Sequence, residues 1–390
     1  MLLICARREL PESLLKEAHV LAQEVDWDRM VELSLAHRVA PIVFTSIKRH
    51  LSAITPDRCL DRLKQHVIAS TQGNLALLSE LLRTARELTA SKIRFAVFKG
   101  LIINQSVYQD LAIRQCGDID LLVDQDNFVR ARSLLISTGF EPTLTAAEEL
   151  QCQQSGLWHD QRHVTIDLHW GISPRELGIR ADRMLKSLVT VSISGQALPT
   201  FNPVDQLIIL CINATKEYWN QLLYPYCDIH EHLRSQPIPD WESVFRRARE
   251  LRCERMVRTA LRITARLYEM APISRPAMRP GDSPAERAAE ELLHQMFDQN
   301  PGDSRPISHT RHLYVFQSTD DYFTALMDTP RQRLAYRLVY LPLRRHLPEA
   351  LGVDDTRLAP ALSFLRPVVR AGRILGLILR RVYGRLGKRA

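Results

Sequence analysis

Gly117-Asp118-Ile119-Asp120 runs directly into Leu121-Leu122-Val123, and that order restricts the folds open to this chain. The aliphatic triplet is short and suited to burial in a sheet, so the two carboxylates belong at the start of a strand, beside a glycine turn. Side chains alternate across a pleated strand, which places Asp118 and Asp120 on one face. A second alternating run, His163-Val164-Thr165-Ile166-Asp167-Leu168-His169-Trp170, centres on Asp167. If both strands share a sheet, three carboxylates meet on one face. Such a face repels itself unless divalent cations fill it. Phosphoryl and nucleotidyl transfer use this arrangement, with ions about 3.5–4 Å apart clamping the attacking and leaving oxygens. Asp118, Asp120 and Asp167 are therefore the candidate catalytic and metal-binding residues. The plainer alternative for an Asp-x-Asp pair is a turn, a helix cap or a solvated strand edge.

The segment upstream supports the sharper reading. Ile93-Arg94-Phe95-Ala96-Val97-Phe98 reads as a short buried strand that ends in Lys99-Gly100, before a helical stretch from about Leu101 to Tyr108. A strand that opens through glycine into a helix offers backbone N–H groups to phosphate. Arg114, four residues before Asp118, adds a fixed cation suited to phosphate oxygens.

Phe98-Lys99-Gly100, Tyr108, Arg114, Gly117 to Val123 and Ile166-Asp167-Leu168-His169-Trp170 together resemble the uncharacterised nucleotidyltransferase family of bacterial biosynthetic clusters. That family belongs to the DNA polymerase β-like nucleotidyltransferase superfamily. The resemblance spans roughly residues 10–270. It implies an α/β (α+β) fold, a small mixed-sheet core flanked by N- and C-terminal helical regions. It also implies that Asp118 and Asp120 are the paired metal ligands and Asp167 the third, with Mg²⁺ or Mn²⁺ as the ion. Lys99, Gly100 and Arg114 would face the triphosphate of an NTP. Lys216 resembles a helix-borne cation that touches phosphate, a solvated lysine being the alternative; Trp219 reads as packing. The implied reaction moves a nucleoside monophosphate to a hydroxyl of a small molecule, sugar or peptide and releases pyrophosphate. One departure stands out: the superfamily usually has Gly-Ser here, whereas Gly100 precedes Leu101, which leaves the phosphate contact to Lys99. On this reading Asp120→Asn abolishes activity and spares the fold.

His159, His163 and His169 flank Asp167 without Cys-x-x-Cys or His-Glu-x-x-His spacing, so a zinc site is not indicated. His169 shares the face of Asp167 and is placed to hydrogen-bond a site carboxylate or an acceptor. The cysteines at 5, 59, 116, 152, 211, 227 and 253 are odd in number and scattered, which fits a reducing cytoplasm. Cys116 lies near the carboxylates and would react if exposed; a small buried residue is the alternative. No stretch reaches the 18–20 apolar residues of a spanning helix.

Chain organisation falls into a helical region at 1–90, the α/β core at 91–200 and a helical region at 201–271 that completes it. A Pro/Gly/Asp/Ser-rich connector follows at 272–306, then a C-terminal helical region at 307–390. The net charge of +8 is concentrated at the end of the chain. Arg366, Arg370, Arg373, Arg380, Arg381, Arg385, Lys388 and Arg389 alternate there with Leu375, Ile378, Leu379, Val382 and Leu386. That basic amphipathic tail suits an anionic inner-membrane surface, nucleic acid less so for want of stacking aromatics; docking on the protein's own core is the alternative. Two rival functions follow: a non-catalytic binding module with this fold, supported by Leu101, and a membrane-surface accessory protein of a biosynthetic pathway.

Overall fold

Five helices precede the first strand: α1 (Leu2–Cys5), α2 (Glu12–Leu21), α3 (Trp27–Ala36), α4 (Ala40–His50) and the long α5 (Asp57–Ala90). The structure is a computed structural model; it describes residues 1–179, 181–216, 222–236, 238, 240–270, 289, 293 and 319–336. The connector expected at 272–306 lies almost wholly outside the described residues, Trp219 and the basic tail wholly so. The elements below belong to one unit, Met1–Gln332.

The sheet begins with β1 (Phe95–Phe98). After a short helix α6 (Gly100–Ile103) and a π-turn at Asn104–Tyr108 comes β2 (Ile119–Val123), then α7 (Gln125–Ser137). The edge strand β3 (Glu141–Pro142), α8 (Ala146–Cys152), β4 (Gln154–His159) and β5 (Val164–His169) complete it. Strand order is β1-β2-β5-β4-β3. The β2–β5 pair is parallel and its neighbours are antiparallel, so the fold is a mixed α/β one. A hairpin of β6 (Leu188–Ile193) and β7 (Gln196–Phe201) leans on β1 through the Thr200 hydroxyl, which donates to the Val97 carbonyl at 2.8 Å. Helices α9 (Pro203–Thr215), α10 (Tyr224–Ser235), α11 (Trp241–Leu251) and α12 (Glu254–Leu267) follow, and α13 (Thr319–Leu326) packs on α12.

Apolar spacing explains the core. Leu77, Leu78, Leu81, Ala85 and Leu88 of α5 recur at helical intervals and bury against Phe95, Val97, Ile119, Leu121, Ile166 and Leu168. Each fully buried aliphatic side chain contributes about 1.5–3 kcal/mol relative to exposure. Helix starts are fixed locally: the Asp124 carboxylate accepts from Asn127 N at 2.9 Å and opens α7, and Asn202 does the same for α9 through Asp205 N at 3.0 Å.

The loop that delivers Asp118 is tied down from two sides. Asn74, buried within α5, donates from Nδ2 to the carbonyls of Leu111 (2.6 Å) and Arg114 (2.8 Å) and accepts from Cys116 N (3.0 Å). Asn104 adds a second donor to the Arg114 carbonyl at 2.9 Å. From the far side, the Arg114 guanidinium donates through Nε to Asp228 of α10 (2.8 Å), and Tyr108 Oη donates to the same carboxylate (3.0 Å).

Asn74→Ala strips the partners from buried backbone groups of this loop, each of which costs about 1–3 kcal/mol when unsatisfied. We expect it to lower stability by about 2–4 kcal/mol in urea denaturation. Exposed Gln72→Ala on the same helix should stay within about 0.5 kcal/mol; equal effects would contradict the clamp.

Candidate functional site

Register brings the carboxylates together. Asp120 lies opposite Phe98 on one side and opposite Asp167 on the other. Asp118 stands just ahead of β2, and two residues of strand put it on the face of Asp120. Like charges on directly opposed positions destabilise a sheet, so something must offset them.

Part of the offset comes from Lys99. The residue follows Phe98, the last of β1, and turns at φ 54, ψ −148, a region a non-glycine side chain enters at a cost of about 1–3 kcal/mol. Its ammonium returns across the sheet to donate to Asp120 Oδ1 at 2.7 Å, and it lies 4.9 Å from the centroid of the Phe98 ring. His169 Nε2 meets the same oxygen at 3.0 Å, with its ring edge-on to Phe98 at 5.2 Å. Asp120, Lys99 and His169 retain 5 %, 13 % and 3 % side-chain exposure, so their interactions are poorly screened.

The other two acids are less matched. Asp167 Oδ2 accepts one bond, from Gln154 Nε2 at 3.0 Å. Among the described residues, no hydrogen bond reaches the Asp118 carboxylate. Gly156 lies opposite Asp167 on β4, and a Cβ there would meet Thr143 Oγ1 at 2.4 Å and Asp167 Oδ1 at 3.6 Å. Glycine at 156 therefore keeps the flank of Asp167 clear.

Acidities follow from these surroundings. Burial, then the charges of Asp120 and Asp167, push Asp118 up to about 7. Burial and then Asp120 push Asp167 up to about 6. Burial also acts upward on Asp120, but Lys99 and the His169 hydrogen bond outweigh it and hold that acid well below the usual carboxylate range. Burial lowers His169, so a neutral ring donates its Nε2–H to Asp120. Lys99 feels burial downward, yet Asp120, Asp118 and Asp167 keep it above the ordinary lysine value.

Asp120, Asp167 and His169 each present a ligand atom, all within 4.8 Å of one another. Two carboxylates with an imidazole, and a third unbonded carboxylate two residues upstream, suit a divalent cation: oxygen donors dominate and negative charge exceeds what Lys99 offsets. His169 hydrogen-bonds a site carboxylate, as its place on the face of Asp167 leads one to expect. Its signal was the alternation that set it beside Asp167.

The remaining expected residues divide. Lys216, at the C-terminal end of α9, reaches the cluster with its charge, which acts on both Asp167 and His169. Gly100 has φ +32 and packs under Asp118; an added Cβ would sit 3.4 Å from the Asp118 carbonyl. Leu101 is buried in the core. Arg114 engages Asp228 and anchors the approach to Asp118, as described above. Burial raises the Cys116 thiol to about 11, which removes it as a nucleophile.

The sign of the pH dependence follows from Asp118. A carboxyl whose folded pKa is raised stabilises the fold fully at low pH and loses that contribution as pH rises through the folded value. Without metal, wild-type stability relative to Asp118→Asn should therefore fall between about pH 4 and 7 and level off above, by roughly 1–3 kcal/mol in paired thermal denaturation series. A saturating divalent ion should flatten the difference. A difference that grows with pH would contradict the assignment.

This sheet, with paired carboxylates at the head of one strand and a third on its parallel neighbour, defines a nucleotidyltransferase-type α/β protein. The chain belongs to the family described as "uncharacterised nucleotidyltransferase", whose model matches residues 23–269. No curated protein matches the chain. Among solved structures, an antigenic nucleotidyltransferase-like protein from Paracoccidioides brasiliensis is similar at 17 % identity and a TM-score of 0.33, covering 54 % of this chain and 92 % of its own. Across the described residues, no helix is long and apolar enough to cross a membrane.

Proposed function

We propose that the protein is a Mg²⁺- or Mn²⁺-dependent nucleotidyltransferase that moves a nucleoside monophosphate from an NTP to a hydroxyl of a small molecule, sugar or peptide. The observation that carries this reading is the opposed Asp120–Asp167 pair with Asp118, which no hydrogen bond reaches among the described residues, just ahead of it. A face that concentrates negative charge at a cost to the fold has its simplest rationale as a cation site.

In the reaction, the acceptor oxygen bonds to the α-phosphorus as the bond to the β-bridging oxygen breaks, and pyrophosphate departs. Divalent ions bound here would neutralise the triphosphate and acidify the acceptor hydroxyl. Asp118 and Asp120 are the ligands, since a carboxylate that holds a cation is a poor proton acceptor. Asp167, raised to about 6, is placed to join them or to take the acceptor's proton. Gln154 orients its carboxylate, and Lys99, Gly100 and Lys216 face the phosphates. Arg114 serves the same end by holding the Asp118 loop against α10. The acceptor fits a bacterial biosynthetic pathway. Cysteines that are all free fit a cytoplasmic site of action, and the basic amphipathic sequence of the tail suits an anionic inner-membrane surface.

An assay with α-phosphate-labelled NTP, Mg²⁺ or Mn²⁺ and cell extract as acceptor source tests this. Label should pass to an extract component, and Asp167→Asn should reduce transfer at least about 10³-fold. Full transfer by that variant would refute the mechanism. An absence of metal-dependent NTP binding by the wild type would favour the non-catalytic module instead. Asp120→Asn is a poorer control than its strand context suggests. It strands a buried ammonium, and breaking such a pair costs about 3–5 kcal/mol, so its melting temperature should fall well below that of Asp167→Asn.

A further inference from the structure

We infer that Lys99 is a tethered cation holding the metal position on Asp120, and that it yields this position when ion and nucleotide bind. The inference rests on the metal-dependent reading above and adds an order to it. Asp120 Oδ1 accepts two donors, Lys99 Nζ at 2.7 Å and His169 Nε2 at 3.0 Å. Both lone-pair positions of Oδ1 are thus taken, which leaves Oδ2 to an ion, and an ion on Oδ2 would share its carboxylate with the Lys99 ammonium. Lys99 is the donor such an ion displaces, because two cations on one buried carboxylate repel each other.

The surroundings allow this. Lys99 reaches Asp120 on a flexible four-carbon stem, and the ammonium can leave Oδ1 by rotating that stem while the backbone stays fixed at φ 54 beside Gly100 at φ 32. Among the described residues, no hydrogen bond reaches the Asp118 carboxylate and one reaches Asp167, from Gln154, so neither has a tethered counter-ion at hydrogen-bond distance there. Among the described residues, Asp120 is the site acid with a lysine at hydrogen-bond distance. Once off Asp120, the ammonium faces the ion that displaced it and needs another anion; the triphosphate supplies it. Metal binding is therefore weak alone and strengthened by nucleotide, and by linkage the nucleotide gains equally from the metal.

The test is calorimetric titration of Mn²⁺ into wild type, Lys99→Met and Lys99→Arg, each with and without a non-hydrolysable NTP analogue. Lys99→Met, similar in length and uncharged, should bind Mn²⁺ alone at least about tenfold more tightly than wild type and gain less from the analogue; Lys99→Arg should remain weak. Equal or weaker Mn²⁺ binding by Lys99→Met would overturn the inference. Should Lys99→Met not fold, amine labelling of wild type read by mass spectrometry decides the point. Labelling of Lys99 should rise severalfold on adding Mn²⁺ alone, and unchanged labelling at saturating Mn²⁺ would refute displacement. If wild type binds no Mn²⁺ even with the analogue, the metal-dependent function itself fails, which is a different result from equal affinities.

Discussion

The buried contact of Asp120 with Lys99 and His169 is the interaction on which the rest of this site depends. It is what allows a second carboxylate, Asp167, to sit directly opposite on the parallel strand. With Asp120 held charged by a neighbouring ammonium, the cost of further charge falls on Asp118 and Asp167. Their carboxyls are accordingly driven upward. One acid is therefore firmly ionised, and two are ready to exchange protons for a cation near neutral pH.

Precision at Asp118 comes from outside the sheet. Its loop has no regular secondary structure, and the side chains of Asn74, Asn104 and Asp228 fix its carbonyls and its arginine instead. These anchors come from three separate helical segments, α5, the π-turn and α10. The helical regions on either side of the core thus act as walls of the site, because removing either would release one side of the loop.

Much of the core was legible because its signals are local. Alternation around Asp167 and the Asp-x-Asp-to-aliphatic step located β5 and β2 to within a residue. Ile93 was expected in the first strand. Instead its N–H bonds the Leu88 carbonyl at 2.9 Å and closes α5, so β1 begins at Phe95. The less legible features are those whose partners are distant in sequence. Asn74 looks like one polar residue among leucines, and only contact with residues 111–116 gives it a purpose. Arg114, read as a phosphate ligand, finds its carboxylate 114 residues onward in Asp228. Lys99 was legible as a cation near the site, but its pairing with Asp120 requires a left-handed backbone turn that sequence does not announce.

The most direct measurement is a crystal structure with Mn²⁺ and a non-hydrolysable NTP analogue, the ions located by anomalous scattering. The account predicts manganese within ligand distance of Asp118, Asp120 and Asp167, the triphosphate on the same ions, and Lys99 Nζ moved from Asp120 to a phosphate oxygen. Manganese absent from these carboxylates, or a triphosphate bound elsewhere with Lys99 still on Asp120, would contradict it.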